Sequence, residues 1–204
     1  MLGLPKSTEM NKQLPKKAIY TKFQMNTTTK ERIDADISRI TIVNEITPSK
    51  VNIASGDEVK NFFVLLVSLK RKEFDEKIIS LLSNLIPQHV LFVLEYERDC
   101  KLAIYHTKIL QTKWKPIEEQ KVELVGLNLD KVWENLVIAV GAIDIENNNS
   151  LDEQIIINEK RQKLEKEIAR IEKQARAEKQ PKKKFELAGK VKSLKRELDM
   201  LSLS

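Results

Sequence analysis

The C-terminal quarter of the chain has apolar side chains at helical spacing in two separate runs. Within each run they recur mostly three, four or seven residues apart, as they do along one face of a helix. The first run is Ile157, Leu164, Ile168, Ile171 and Ala175, and the second is Leu187, Val191, Leu194, Leu198 and Leu201. Between the runs, Pro181 lacks a backbone N–H and disfavours helical geometry at Gln180. Because isolated helices of this length are marginal in water, we predict an antiparallel, coiled-coil-like helical hairpin over residues 152–204.

The middle of the chain alternates between strand and helix patterns. "VKNFFVLLVSLK", residues 59–70, is a continuous apolar run typical of a buried strand. "KEFDEKIISLLSNLI" predicts an amphipathic helix that ends before Pro87. "HVLFVLEYE" and "CKLAIYHTKIL" predict two antiparallel strands joined by a tight turn, and "KVELVGL" a weaker strand. "NLDKVWENLVIAVGAI" predicts a helix capped by Asn128.

The segment "KERIDADISRITIVNEI", residues 30–46, is ambiguous. The spacing of Ile33, Ile37, Ile40 and Val43 favours a helix to about Ile40, whereas the β-branched second half is also typical of a strand. The whole pattern predicts an α+β domain over residues 30–145, with one small sheet covered by helices. We expect an extended N-terminal arm over residues 1–29 and a hydrophilic linker over 146–151.

The net charge of +6 is concentrated near the C-terminus. Residues 151–204 contain 15 Lys and Arg against 10 Asp and Glu, whereas residues 1–150 contain 21 against 20. The single cysteine, Cys100, excludes a disulfide within the chain and fits a reducing compartment. The sequence shows neither the apolar core of a signal peptide nor an apolar run of membrane-spanning length. We therefore expect a soluble, cytoplasmic protein.

Catalytic and metal-binding patterns are weak. His89, His106 and Cys100 show no metal-ligand spacing, and we expect no metal and no cofactor. A divergent metal-dependent nuclease is an alternative, because such cores place carboxylates and a lysine on adjacent strands. Its candidate catalytic residues are Asp57, Lys70, Glu95 and Glu97. Ser68 stands where that pattern needs a second acid, so we favour a protein without catalytic activity.

The lysines around Pro181 predict contacts with nucleic-acid phosphates. The candidate residues are Lys179, Lys182, Lys183, Lys184 and Lys190. The alternative is that these charges only solvate the bend. Aromatic residues make up 5% of the chain, too few for a platform of stacking rings. Phe185 is the only ring in this stretch, and packing within the hairpin is an alternative role for it.

Five stretches resemble an uncharacterised prokaryotic family, domain of unknown function forty-three ninety-one. They are "LGLPKSTEMNKQLPKK", "DISRITIVNEITPSKVNI", "LSNLIPQHVLFVLEY" with "KLAIYHT", "LNLDKVWENLV" and "EKQPKKKFELAGKVKSLKREL". The resemblance implies an accessory protein of restriction–modification-type defence loci, beside a DNA methyltransferase and a helicase. It carries no catalytic residues.

Three functions therefore remain open from the sequence. The first is a non-catalytic adaptor that docks on protein partners through the hairpin and reaches DNA through the complex; the others are the nuclease and sequence-nonspecific nucleic-acid binding. The predicted partner-binding residues are Leu164, Ile168, Ile171, Leu187, Val191, Leu194 and Leu198. Two chains can also exchange hairpins to form a homo-oligomer.

Overall fold

The computed structural model describes residues 2–146 and 149–201, and it confirms the α+β class. The chain divides into two compact units, Met1–Ala142 and Ile143–Ser204. The first unit holds a mixed sheet with helices, and the second holds a pair of long helices. No helix in the described ranges has the length and apolarity that a bilayer crossing requires.

Each described strand and helix of the first unit has the following bounds. The strands are β1 (Glu9–Gln13), β2 (Ile37–Ile46), β3 (Phe62–Leu69), β4 (His89–Tyr96), β5 (Asp99–Tyr105), β6 (Ile109–Gln111) and β7 (Lys115–Pro116). The helices are α1 (Lys16–Lys22), α2 (Thr27–Asp36), α3 (Pro48–Val51), α4 (Lys77–Leu85) and α5 (Leu129–Gly141). A three-residue 3-10 turn, Lys6–Thr8, precedes β1.

The sheet has the strand order β1-β2-β3-β4-β5-β6, and β7 also pairs with β5. Strands β3 and β4 are parallel, and the other neighbouring pairs are antiparallel. The parallel pair requires a crossover, which the amphipathic helix α4 provides. The β4–β5 hairpin predicted from the sequence is confirmed, with Tyr96 opposite Asp99.

Helices lie on both faces of the sheet. Alternate side chains of β3, among them Leu65 and Val67, join one core cluster with Ile33 of α2 and Leu82 of α4. On the other face, the ring of Phe62 meets Trp133 of α5 at a centroid distance of 5.2 Å. Because successive side chains of a strand point to opposite faces, the continuous apolar run in β3 supplies both cores.

The residues after Asp36 form a strand and not the continued helix that their spacing favoured. Strand β2 runs from Ile37 and pairs with β3 on one side and β1 on the other. Ile37, Ile40 and Ile46 are all buried. The β-branched side chains fit a pleated sheet, and two ladders of hydrogen bonds outweigh the weak helical preference.

The N-terminal segment is not an extended arm. Strand β1 pairs with β2, and α1 follows it, so residues 1–29 belong to the sheet unit. The apolar side chains Leu14, Ile19 and Phe23 pack against the core cluster. The predicted strand "KVELVGL" is also wrong: it is irregular, and the short β7 lies earlier in the chain.

A buried carboxylate fixes the end of α2. Asp36 has 1% of its surface exposed, forms an ion pair with Arg71, and accepts a hydrogen bond from Arg71 Nε at 2.6 Å. It also accepts one from the Asp75 backbone N–H at 2.9 Å. A buried charge needs such partners, so these bonds hold the loop after β3 against the end of α2.

A second carboxylate holds the loop before β3 against α5. Asp130 accepts hydrogen bonds from the backbone N–H groups of Asp57 at 2.6 Å, Glu58 at 3.2 Å and Val59 at 2.7 Å. These bonds lower the pKa of Asp130, Val59 contributing most. Gly56 precedes the turn, and a Cβ there would contact the Asp130 carboxylate and lie 2.7 Å from its backbone nitrogen. The close approach of backbone and carboxylate therefore requires glycine.

The second unit contains α6 (Leu151–Ala177) and α7 (Pro181–Leu201), which pack against each other. A capping box starts α6: the Ser150 hydroxyl accepts from the Glu153 N–H while Glu153 accepts from the Ser150 N–H. Near the other end of the pair, Arg161 donates to both carboxylate oxygens of Glu146, at 2.9 and 2.7 Å, and to the Leu201 carbonyl at 3.0 Å. The predicted fold-back at Pro181 is confirmed.

We predict that Gly56→Ala destabilises the sheet unit by about 1–3 kcal/mol, because the new methyl group overlaps the Asp130 carboxylate. The free energy of unfolding from urea titration measures the effect. The matched control is Gly189→Ala in α7, where a Cβ meets nothing within 4 Å and alanine favours the helix. A Gly56→Ala variant as stable as the wild type would contradict the close approach.

We predict that Asp130→Asn lowers stability at pH 7 and flattens its acid dependence. Since the folded pKa of Asp130 is lowered, its stabilisation is complete above the unfolded pKa of about 3.9 and is lost as pH falls through the folded value. Unfolding midpoints between about pH 2 and pH 7 test this. Asp57→Asn, a change in an exposed side chain, should retain the wild-type profile.

Candidate functional site

The turn between α6 and α7 is three residues long and closes by local hydrogen bonds. The Glu178 N–H bonds to the Gln174 carbonyl, and the Lys184 N–H bonds to the Gln180 carbonyl, both at 3.0 Å. The Glu178 carboxylate accepts from the Gln180 N–H at 2.9 Å, which lowers the pKa of Glu178. With Pro181 as the first residue of α7, the turn sets where the flanking lysines lie.

Four of the five predicted phosphate-binding lysines surround this turn and are exposed. They are Lys179, Lys182, Lys183 and Lys184, and none of them forms an ion pair within the described part of the chain. We call these four residues the tip lysines. The fifth, Lys190, lies farther along α7 and pairs with Glu167 at 3.3 Å, so its charge is partly neutralised inside the hairpin.

Three of the four tip lysines lie at the end of a helix that disfavours positive charge. Lys182, Lys183 and Lys184 occupy the first turn of α7, which contains no acidic residue. Positive charge there is unfavourable, because the backbone N–H groups already give a helix N-terminus a partial positive charge. The turn therefore combines positive charge from side chains and backbone, offset in part by the Glu178 carboxylate, whose pKa Lys183 also lowers; the remaining cations suit phosphate groups.

Ion pairs across the hairpin engage other lysines of α7. Lys195 of α7 lies 2.8 Å from Glu172 of α6, and this interaction lowers the pKa of Glu172. Together with the Lys190 pair, it joins the two helices along their flanks. These exposed pairs contribute little stability individually, but they fix the register of the apolar residues between them.

The seven predicted partner-binding residues lie along the facing sides of the pair. In α6, Ile168 is 8% and Ile171 2% exposed, whereas Leu164 is half-buried. The four in α7 are all half-buried, and no residue of α7 is buried. The two helices thus cover the stripe of α6 better than that of α7. We call Leu187, Val191, Leu194, Leu198 and Leu201 the α7 stripe.

Phe185 does not pack within the hairpin. Its side chain is 82% exposed, and it lies on the side of α7 away from the stripe. Residues two positions apart on a helix do not face the same way, so Phe185 lies outside the stripe that contains Leu187, and the alternative of packing within the hairpin is wrong.

The residues of the nuclease alternative do not form one site. Asp57 precedes the start of β3, whereas Glu95 lies beside Ser68 at the far end of the parallel β3–β4 pair. The Ser68 hydroxyl donates to Glu95 at 3.0 Å. Glu97 has a φ of 55° in the turn after β4, and so does not share a strand face with Glu95. Lys70 donates to the Asp34 carbonyl at 2.6 Å.

The described residues contain no group of three His, Cys, Asp or Glu side chains placed to hold a metal ion. Cys100 is buried in β5, and burial raises its pKa to about 11. Its thiol is therefore protonated and unreactive at neutral pH. The ring of His89 packs against Trp133 at a centroid distance of 4.8 Å, a structural role.

A buried lysine of the sheet unit, Lys101, carries no recognisable signal in the sequence. Lys101 donates to Gln111 Oε1 at 2.6 Å, and its ammonium lies 5.1 Å from the ring centre of Phe74 and 5.3 Å from that of Trp114. Lys72 approaches the same Trp114 ring at 5.2 Å. Phe74 and Trp114 lie in separate loops before and after β5, so their positions in the sequence show no helical or strand periodicity.

The comparisons with known proteins identify a family and no activity. No curated protein and no solved structure matches the chain. The family model described as "Domain of unknown function (DUF4391)" matches residues 2–198, which include the sheet unit and almost all of the hairpin. The chain therefore belongs to the DUF4391 family.

Proposed function

We propose that this protein is a non-catalytic accessory subunit of a DNA-processing complex in the cytoplasm. Its hairpin docks on a partner protein, and its tip lysines contact the phosphates of DNA that the complex holds. The partners we propose are a DNA methyltransferase and a helicase of an anti-phage, restriction–modification-type locus. That setting rests on the sequence resemblance described above, whereas the geometry of the hairpin supports the docking and the phosphate contact.

The observation that carries the proposal is the unequal covering of the two apolar stripes. The stripe of α6 contains the buried residues Ile168 and Ile171, while all of the α7 stripe stays half-exposed. A pair of helices leaves one flank of its apolar seam in water, and a third helix packed along that flank would bury it. An amphipathic helix of a partner fits this flank, since recognition of a helix in a groove uses such spacing.

The tip lysines support the second part of the proposal. Unlike Lys190 and Lys195, they form no ion pair in the described ranges, and they stand at the end of a hairpin built from 27-residue and 21-residue helices. The cluster stands at the turn end of the helical pair, and Lys183 lies one helical turn before Leu187, the first residue of the α7 stripe. Phosphate contact of this kind adds affinity without reading sequence.

The nuclease alternative has no comparable support. Asp57 lies before the start of β3 and Glu95 is opposite Ser68 near its end, and the six steps from Phe62 to Ser68 span about 20 Å at about 3.3 Å each. A metal ion bound by both carboxylates would require them within a few ångströms of a common point.

We predict that replacing Leu187 and Leu194 by Gln reduces recovery of the partner at least about tenfold, since each polar replacement removes apolar burial worth about 1 kcal/mol or more. The measurement is co-purification with the affinity-tagged full chain from its native cells. The matched control is Ile156→Gln, an exposed apolar residue of α6 outside the two stripes.

Far-UV circular dichroism checks that each variant keeps the helix content of the wild type. Undiminished recovery of the partner with Leu187→Gln/Leu194→Gln would reject docking through the α7 stripe. A dimer of the purified chain that dissociates in this variant would instead assign the stripe to a second copy.

We predict that replacing Lys182, Lys183 and Lys184 by Gln flattens the salt dependence of duplex DNA binding. The slope of log K against log salt should fall by about 2.7, at about 0.9 for each phosphate that the variant no longer neutralises. The control is the equal charge change Lys160→Gln/Lys163→Gln/Lys166→Gln on exposed positions of α6. An unchanged slope in the tip variant would place the phosphate-binding residues elsewhere.

A further inference from the structure

The side of α7 opposite its stripe carries a second line of residues. Lys182, Phe185, Gly189, Lys192 and Arg196 recur at steps of three and four, so they lie along one face of the helix. All five are exposed, and we call them the outer face of α7. Over about 14 residues at about 1.5 Å each, this face is about 21 Å long.

The outer face is positively charged, and its cations have no acidic partner in an ion pair. From Lys182 to Arg196 this face contains three cations and no acidic residue, and Asp199, three residues after Arg196, lies on the same side of α7 beyond its end. No ion pair involves Lys182, Lys192 or Arg196 in the part of the chain that the structure describes. The helix therefore separates its charges: Lys190 and Lys195 are paired with α6, and the cations that face outward are available to a ligand.

Phe185 and Gly189 lie in the middle of this basic line. Phe185 is the aromatic residue of this face, and 82% of its surface is exposed to solvent. Gly189, one turn further on, has open space where a Cβ would lie, so packing does not require a glycine. Glycine weakens the middle of a helix relative to alanine, but it lets a ligand approach the backbone closely beside the Phe185 ring.

We propose that the outer face of α7 binds single-stranded nucleic acid. Lys182, Lys192 and Arg196 contact successive phosphates, and the Phe185 ring stacks on an unpaired base. This inference rests on the proposed function and deepens it, because it specifies the form of nucleic acid that α7 recognises and adds binding residues beyond the tip lysines.

The exposed ring of Phe185 favours single-stranded over duplex nucleic acid. In a duplex both faces of each base are covered by its neighbours, whereas a single strand offers a free base face to an aromatic side chain. Phosphate contacts alone would not separate the two forms. An anionic membrane surface is a poorer fit, because interfacial helices bury an apolar face and the outer face has one large apolar side chain.

The test measures fluorescence anisotropy of the full-length chain with a labelled single strand of mixed sequence, about 20 nucleotides long, and with a duplex of the same length. The variants are Phe185→Leu, which removes the ring but keeps an apolar side chain, and Lys192→Gln/Arg196→Gln. The matched control is Lys163→Gln/Lys166→Gln, the loss of two exposed charges from α6. Vesicles of phosphatidylserine and phosphatidylcholine form a third arm.

Phe185→Leu should weaken single-strand binding about fivefold or more, with an unchanged salt slope and little effect on the duplex. Lys192→Gln/Arg196→Gln should lower the single-strand salt slope by about 1.4, at about 0.7 for each phosphate that is no longer neutralised. The control should match the wild type in both.

Three results would overturn the inference. They are equal binding of single strand and duplex, single-strand affinity that is insensitive to Phe185→Leu, and a Phe185→Leu effect confined to vesicles. The proposed function is tested separately, by partner recovery and by the duplex salt slope of the tip-lysine variant. Each of the three results above would therefore leave the proposed function standing. Conversely, loss of partner docking would leave the single-strand measurement on the purified chain intact.

Discussion

The reversal of the chain at Pro181 is the constraint on which the second unit depends. Neither amphipathic helix can bury its apolar stripe alone, and the missing N–H of proline prevents one continuous rod. Once the chain turns back over three residues, the two stripes meet, and the lysines around the turn project into solvent. Partner docking and phosphate contact, as proposed, both follow from this single reversal.

Ion pairs within the hairpin neutralise some lysines of α7 and leave others unpaired. Lys190 and Lys195 form ion pairs with Glu167 and Glu172 across the helix pair, whereas the lysines at the turn and the cations on the outer face of α7 form none within the described residues. Net charge alone does not reveal this, because paired and unpaired lysines count equally. The distribution matters for any ligand, since a paired charge must first lose its partner before it binds a phosphate.

The sheet unit shows how strand direction separates residues that resemble a site in sequence. Glu95 and Ser68 come together because β3 and β4 run parallel and end at the same edge. Asp57 lies at the other end of β3, where its backbone N–H bonds to Asp130 of α5. The carboxylate that holds this loop in place is Asp130 of α5, which accepts hydrogen bonds from three of its backbone N–H groups. Asp36, Glu95 and Asp130 therefore each bind a neighbouring side chain or backbone group and so stabilise the fold of the sheet unit.

The sequence by itself determined the elements with strong periodicity: the buried strand around Leu65, the capped helix at Asn128 and the two stripes that flank Pro181. Each is encoded by neighbours a few residues apart, so local spacing is sufficient. Only the tertiary structure decided that the segment after Asp36 forms a strand, that β1 joins the sheet, and that Lys190 is paired while Lys182 is not. Those outcomes depend on partners far away in the chain, and no local pattern records which distant residue will satisfy a backbone group or a charge.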